Sequence, residues 1–287
     1  MGNNPCCQLL SPWERLGEGV WPKAKHKETS APIRRKRRRK GFRGEHVSYT
    51  TISEGNGRMN EIFFASLNVA LAEERLSAYG EDGVGEPVLI ARYLWNMALC
   101  EALYSPLQIA EIALRNTVHR NLDPRVCKDS WYTAPENTKL TSWQQFKVKS
   151  AIEEIQKKQK SVTEGRIVAE LNFGFWTAFF DNRHASTGLG AHLTKTGFPY
   201  LQAELRSLKT LNRRWREIRK LRNRVFHHER ILHWADLEQK HNRLIEAIGW
   251  INPELREMAE VLDRFSNIRC QGLDPWLEKI QNHWPRS

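Results

Sequence analysis

Beyond residue 60, apolar residues recur every three or four positions through most of the chain, the period of helices with one buried face. No run alternates as a half-buried strand would. Phe63, Phe64, Leu67, Leu71 and Leu76 predict a first helix over 60–79, closed by Gly80. Pro87 opens a second that turns Leu89, Tyr93, Leu94, Met97 and Leu103 inward and runs to about Tyr104. Ser105-Pro106-Leu107-Gln108 then reads as a new start, with Ser as N-cap, Pro at the first helical position and Gln three residues after the cap. That third helix continues to about Leu122, burying Leu107, Ala110, Leu114, Thr117 and Val118. Further helices are predicted over 141–160, 165–180 and 188–199. The aromatics Phe173, Phe175, Trp176, Phe179 and Phe180 read as core, since a helix apolar all round is buried. Leu211, Trp215, Ile218, Leu221 and Val225 advance by four, three, three and four and define a helix over 211–229, with three more over 234–250, 253–265 and 275–284.

The predicted fold is therefore all-α: an up-and-down helical bundle with additional helices. The 287 residues allow one large domain or two small ones, and 40% hydrophobic content suffices for a sizeable core. No uncharged apolar run reaches 18 residues, so no membrane span is expected, and no apolar leader segment stands near the N-terminus. The expectation is a cytoplasmic protein. Five Cys, with Cys6 and Cys7 adjacent and Cys100, Cys127 and Cys270 far apart, form neither a disulfide framework nor a zinc spacing. His228, His233 and His241 lack companions at ligand spacing, so no metal and no cofactor are expected.

Charge divides the chain. The net charge is +12, yet residues 1–58 hold thirteen Lys or Arg against five Asp or Glu, leaving only +4 for the remainder. This basic segment, with its run Arg34-Arg35-Lys36-Arg37-Arg38-Arg39-Lys40, shows no periodicity and reads as a disordered extension. Met59 is the alternative start, which makes 59–287 the folded domain. Within it the positive charge is local: ten Lys or Arg against two Glu between Arg206 and Arg230. Phosphates would be drawn there. Arg213, Arg214, Arg219, Lys220 and Arg224 are the candidate RNA contacts.

At the end of that helix stand Arg222, Asn223 and His227. An imidazole titrates near neutrality and moves protons to and from RNA oxygens. A guanidinium holds phosphate oxygens while charge builds on phosphorus, and an amide orients either partner without titrating. Arg222 lies at the edge of the apolar stripe and is expected to be partly buried. Five residues apart, Arg222 and His227 lie about 140° apart on an ideal helix. A reaching side chain, a distorted helix or two copies of the helix must bring them together.

Leu221-Arg222-Asn223-Arg224-Val225-Phe226-His227 resembles the R-polar-x3-H signature of HEPN domains, in particular the Abi-like (abortive-infection) family. Tyr93-Leu94-Trp95-Asn96, Glu111-Ile112-Ala113-Leu114-Arg115-Asn116, Glu170 to Trp176 and Phe198-Pro199 are similar to that family in the same order, over roughly 60–265. The resemblance implies a metal-independent endoribonuclease that acts in phage defence or as a toxin, with His227, Arg222 and Asn223 catalytic and His228 assisting. It further implies Glu111, Arg115 and Asn116 as supports, a homodimer, and a small RNA or protein antitoxin as restraint. Glu111 and Arg115, four apart, are expected to pair. The rival expectations are a non-catalytic RNA-binding module holding a regulatory RNA, and a helical scaffold whose Arg and His only close a packed interface.

Overall fold

In the computed structural model, the described residues are 61–80, 83–122, 131–133, 135 and 138–283. The basic extension with its cysteine pair, Met59, Cys127, Pro124 and the end of the last predicted helix lie outside them. Among the described residues the secondary structure is helical throughout, with no strand.

The first predicted helix is two, α1 (Glu61–Leu71) and α2 (Glu73–Ser77), because Ala72 adopts φ 68° and breaks the run. The second and third predicted helices are one, α3 (Glu86–Asn121), which passes straight through Ser105-Pro106. The N-cap reading of Ser105 is thus corrected. Proline inside a helix forfeits one hydrogen bond and costs about 3 kcal/mol. Here Pro106 is buried with Leu103, Leu107 and Ala110 in the main core, and that packing outweighs the local signal. At 36 residues, α3 is about 54 Å long. Its length and composition would suit a membrane span, but half of its most apolar window is buried inside the protein, as befits a core helix.

Thr141 caps α4 (Ser142–Lys157) in a reciprocal box with Gln144. The predicted helix over 165–180 divides into α5 (Glu164–Glu170) and α6 (Phe173–Thr177), followed by a 3-10 turn, Ala178–Phe180. Asn172 makes the break by accepting the Phe175 N–H, which satisfies a helix N-terminus within the run. The aromatics there are fully buried, as expected of core. After α7 (Leu189–Thr196), Ser207 caps α8 (Leu208–Phe226), whose stripe Leu211, Trp215, Ile218, Leu221 and Val225 is entirely inward. Next come α9 (Leu237–Ile251), α10 (Pro253–Leu262), α11 (Phe265–Gln271), which periodicity did not separate, and α12 (Asp274–His283).

α3 threads both apolar clusters. Its first turns, with Ile90 and Ala91, pack with Leu76 and Ile280; the rest lies in the main core against α6, α8, α9 and α10. Asn96, buried on α3, accepts the N–H groups of Ile231 (2.8 Å) and Leu232 (3.1 Å) and so holds the chain that leaves α8. Trp95 donates its indole N–H to the Ile268 carbonyl at 3.1 Å. His241, one of the histidines weighed as a ligand, is instead buried against the Phe265 ring with Nε2 at 3.0 Å from Asp263.

Removing the Asn96 amide strands two backbone donors, at about 1–3 kcal/mol each. Asn96→Ala should therefore lower the unfolding free energy by about 2–4 kcal/mol in urea titration. His184 is fully buried, lies over Phe179 and has Nε2 2.8 Å from Gln144 Oε1. Burial pushes its pKa down, against a weaker upward pull from Asp181. The fold holds it neutral while the unfolded chain takes up a proton below about pH 6.5, so stability should fall as pH drops through that value. His184→Phe should flatten this fall in a pH series of thermal melts.

Candidate functional site

The end of α8 is shaped by its own backbone. Glu229 N–H bonds the Arg224 carbonyl at 2.9 Å and His228 N–H bonds the Val225 carbonyl at 3.1 Å, the paired bonds that close a helix in a left-handed residue. That residue is His228, at φ 56°, where glycine is usual. Its carbonyl accepts from Arg75 Nη1 at 2.7 Å, and Arg224 pairs with Glu229 across the same turn. His228 is thus a helix stop, and its backbone explains its position without any chemistry. His227 is the C-cap, with φ −94° and ψ 10°, so it leaves the helical path with its side chain exposed.

Arg222 is half-buried, as its place beside the stripe implied. Its Nε bonds Glu111 Oε2 on α3 at 3.0 Å, and its guanidinium carbon lies 4.3 Å from the centre of the Phe226 ring. Phe226 in turn stacks on Tyr104 of α3 at 5.0 Å between centroids. The guanidinium therefore leans along the helix towards its C-terminal end, one of the routes by which it approaches the His227 side. Arg222 and His227 are not bonded to each other. Asn223 and His227 stand exposed, four residues apart.

Glu111 does not pair with Arg115. Packing of α3 on α8 sets the Arg222 guanidinium against the carboxylate, and a cross-helix partner displaces the i,i+4 neighbour. Arg115 is half-buried with its Nε unpartnered, whereas Asn116 is exposed. Of the three proposed supports, only Glu111 is joined to Arg222. His119, which ends the shorter echo of the motif, accepts the Trp131 indole N–H at Nδ1 (3.3 Å) and faces Glu164 at Nε2 (3.2 Å).

Three of the five expected RNA contacts are engaged elsewhere. Arg214 is nearly buried against Trp250 at 4.4 Å, with Nη1 on Glu246 at 2.6 Å. Arg219 donates to Thr177 on α6 at 2.9 Å, and Arg224 is taken by Glu229. Arg213 and Lys220 remain in a groove of about 710 Å³ beside α8 and α9, joined by Lys209 and Arg216, which the sequence reading passed over. The spacing 209, 213, 216 and 220 was the available signal, since it repeats the helical period on the exposed face.

A left-handed histidine carries a backbone cost that glycine avoids. His228→Gly should therefore raise the unfolding free energy by about 0.5–1 kcal/mol, and a fall in Tm would show that the imidazole itself is needed for the fold. Comparison with models of protein families, with characterised proteins and with solved structures finds no match to this chain.

Proposed function

We propose that the chain is a metal-independent endoribonuclease working at the C-terminal end of α8. The observation that carries the reading is Arg222: Glu111 holds its Nε, the Phe226 ring supports it, and Nη1 and Nη2 have no partner among the described residues. A guanidinium anchored on one edge keeps its outer two nitrogens for two phosphate oxygens, in a fixed orientation. The exposed Asn223 and His227 share that end of the helix.

In the proposed reaction the RNA 2′-oxygen attacks the adjacent phosphorus. The new 2′-O–P bond forms as the P–O5′ bond breaks, leaving a 2′,3′-cyclic phosphate and a 5′-hydroxyl. The 2′-OH loses a proton and O5′ gains one; His227 serves one of these oxygens and water the other. Arg222 stabilises the charge on the phosphorane-like transition state and Asn223 orients the imidazole or the phosphate. The HEPN-like bundle, an Abi-like role in phage defence or as a toxin, restraint by a small RNA or protein antitoxin, and a cytoplasmic setting belong to the same proposal and rest on the motif resemblance. So does a homodimer, for which Ile112, exposed on α3 next to Glu111, supplies apolar surface. A second reading, an RNA-binding module without cleavage, is favoured by the cations Lys209, Arg213 and Arg216, which are unpaired among the described residues.

Incubation with RNA in EDTA, followed by end-group analysis, tests the proposal. Wild type should cut and leave cyclic phosphate ends, and His227→Ala should lower the rate by about 100-fold or more with RNA binding and Tm unchanged. Because His227 is exposed, its loss leaves the core intact, whereas Arg222→Ala also strands Glu111 and needs a stability control. Cleavage abolished by chelation, or unaffected in His227→Ala, would overturn the mechanism. Tight binding without cleavage would leave the binding module.

A further inference from the structure

The geometry points to a one-sided track for single-stranded RNA along the exposed face of α8, leading into the motif. This inference deepens the ribonuclease reading and uses that reading only to say where the track ends. Lys209, Arg213, Arg216, Lys220 and Asn223 advance by four, three, four and three, so they fall within about 40° of one line along the helix, and His227 follows four residues on. All six are exposed. From Lys209 to Asn223 the row spans about 21 Å.

Charge compensation separates this row from its surroundings. On the other wall of the groove Lys240 is paired with Asp236 and Arg243 bonds Glu217 at 2.8 Å, while Arg214 is held by Glu246. Among the described residues none of Lys209, Arg213, Arg216 and Lys220 is paired with a carboxylate. Lys220 lies 5.9 Å from the Trp234 ring, which also has Lys240 over it at 5.3 Å and Arg224 at 6.0 Å. One row of uncompensated cations matches one row of phosphates. A duplex presents two rows across a groove, and the second wall has no free charge to meet the other strand. The row also lies wholly to one side of His227, since α8 ends there. Among the described residues, a bound strand is therefore gripped over about four phosphates on one flank of the scissile bond and not on the other.

Fluorescence anisotropy with the full chain tests the grip, using a 12-nucleotide single-stranded RNA and a duplex of the same sequence. Each phosphate contact to a single strand contributes about 0.7 to the slope of log affinity against log salt. Arg213→Ala/Arg216→Ala should lower that slope by about 1.4, so that raising salt from 50 to 200 mM costs wild type about 7-fold more affinity than the variant. Lys160→Ala/Lys195→Ala removes the same charge from other exposed positions and should leave the slope unchanged. Chimeric strands carrying one ribonucleotide among deoxynucleotides test the direction: cutting should need about four nucleotides on one flank and almost none on the other. Tighter binding of the duplex, an unchanged slope in the double variant, or equal need for both flanks would overturn the track. If the slope falls as expected but wild type cuts nothing, the track stands and the nuclease reading fails. If wild type cuts and the double variant binds and cuts identically, the nuclease stands and the track fails.

Discussion

A single rigid helix holds both sides of the α8 motif. From α3, Glu111 grips Arg222 before the helix ends, and Asn96, fifteen residues earlier, takes two backbone donors just after it. On one unbroken helix those two anchors keep a fixed separation of about 22 Å. Were α3 two helices hinged at Pro106, Glu111 and Asn96 would move independently and the turn carrying His227 would be held from one side only. Continuity through the proline is therefore the constraint on which the arrangement at the end of α8 rests, and burial of Pro106 in the main core sustains it.

The motif combines a restrained arginine with an unrestrained histidine. Glu111 and Phe226 take up the rotational freedom of Arg222 in advance, so a phosphate meeting its outer nitrogens orders little that is not already ordered. Glu111 also offsets part of the positive charge, which favours a ligand able to engage two nitrogens by geometry over one attracted by charge alone. His227 stands exposed on a residue that has already left the helix, next to a helix stop built from His228, Arg224, Glu229 and Arg75. The side chains of Glu111, Phe226, Arg224, Glu229 and Arg75 thus do structural duty, which leaves Arg222, Asn223 and His227 for the proposed chemistry.

The same division runs along the rest of α8. Ten cations in its neighbourhood look alike in sequence, but Arg214, Arg219 and Arg224 each have a specific partner, whereas Lys209, Arg213 and Arg216 have none among the described residues. Buried or paired cations fix helices to one another, and solvated ones carry the field that reaches a ligand. Net charge alone overstates the second group.

Periodicity by itself determined the helical class, the buried stripe of α8 and the half-buried position of Arg222, because apolar spacing reports which face of a helix meets a core. The helix beginning at Thr141 was read without its capping box, although the bonds of that box join residues only three apart. Tertiary packing decided the rest. It carried α3 through a start signal at Ser105-Pro106, gave Glu111 to Arg222 rather than to Arg115, and tied Arg214 to α9 and Arg219 to α6. Each of these outcomes is a competition between a neighbour along the chain and a partner brought by another helix. A local pattern shows only the first competitor, and the folded core supplies the second.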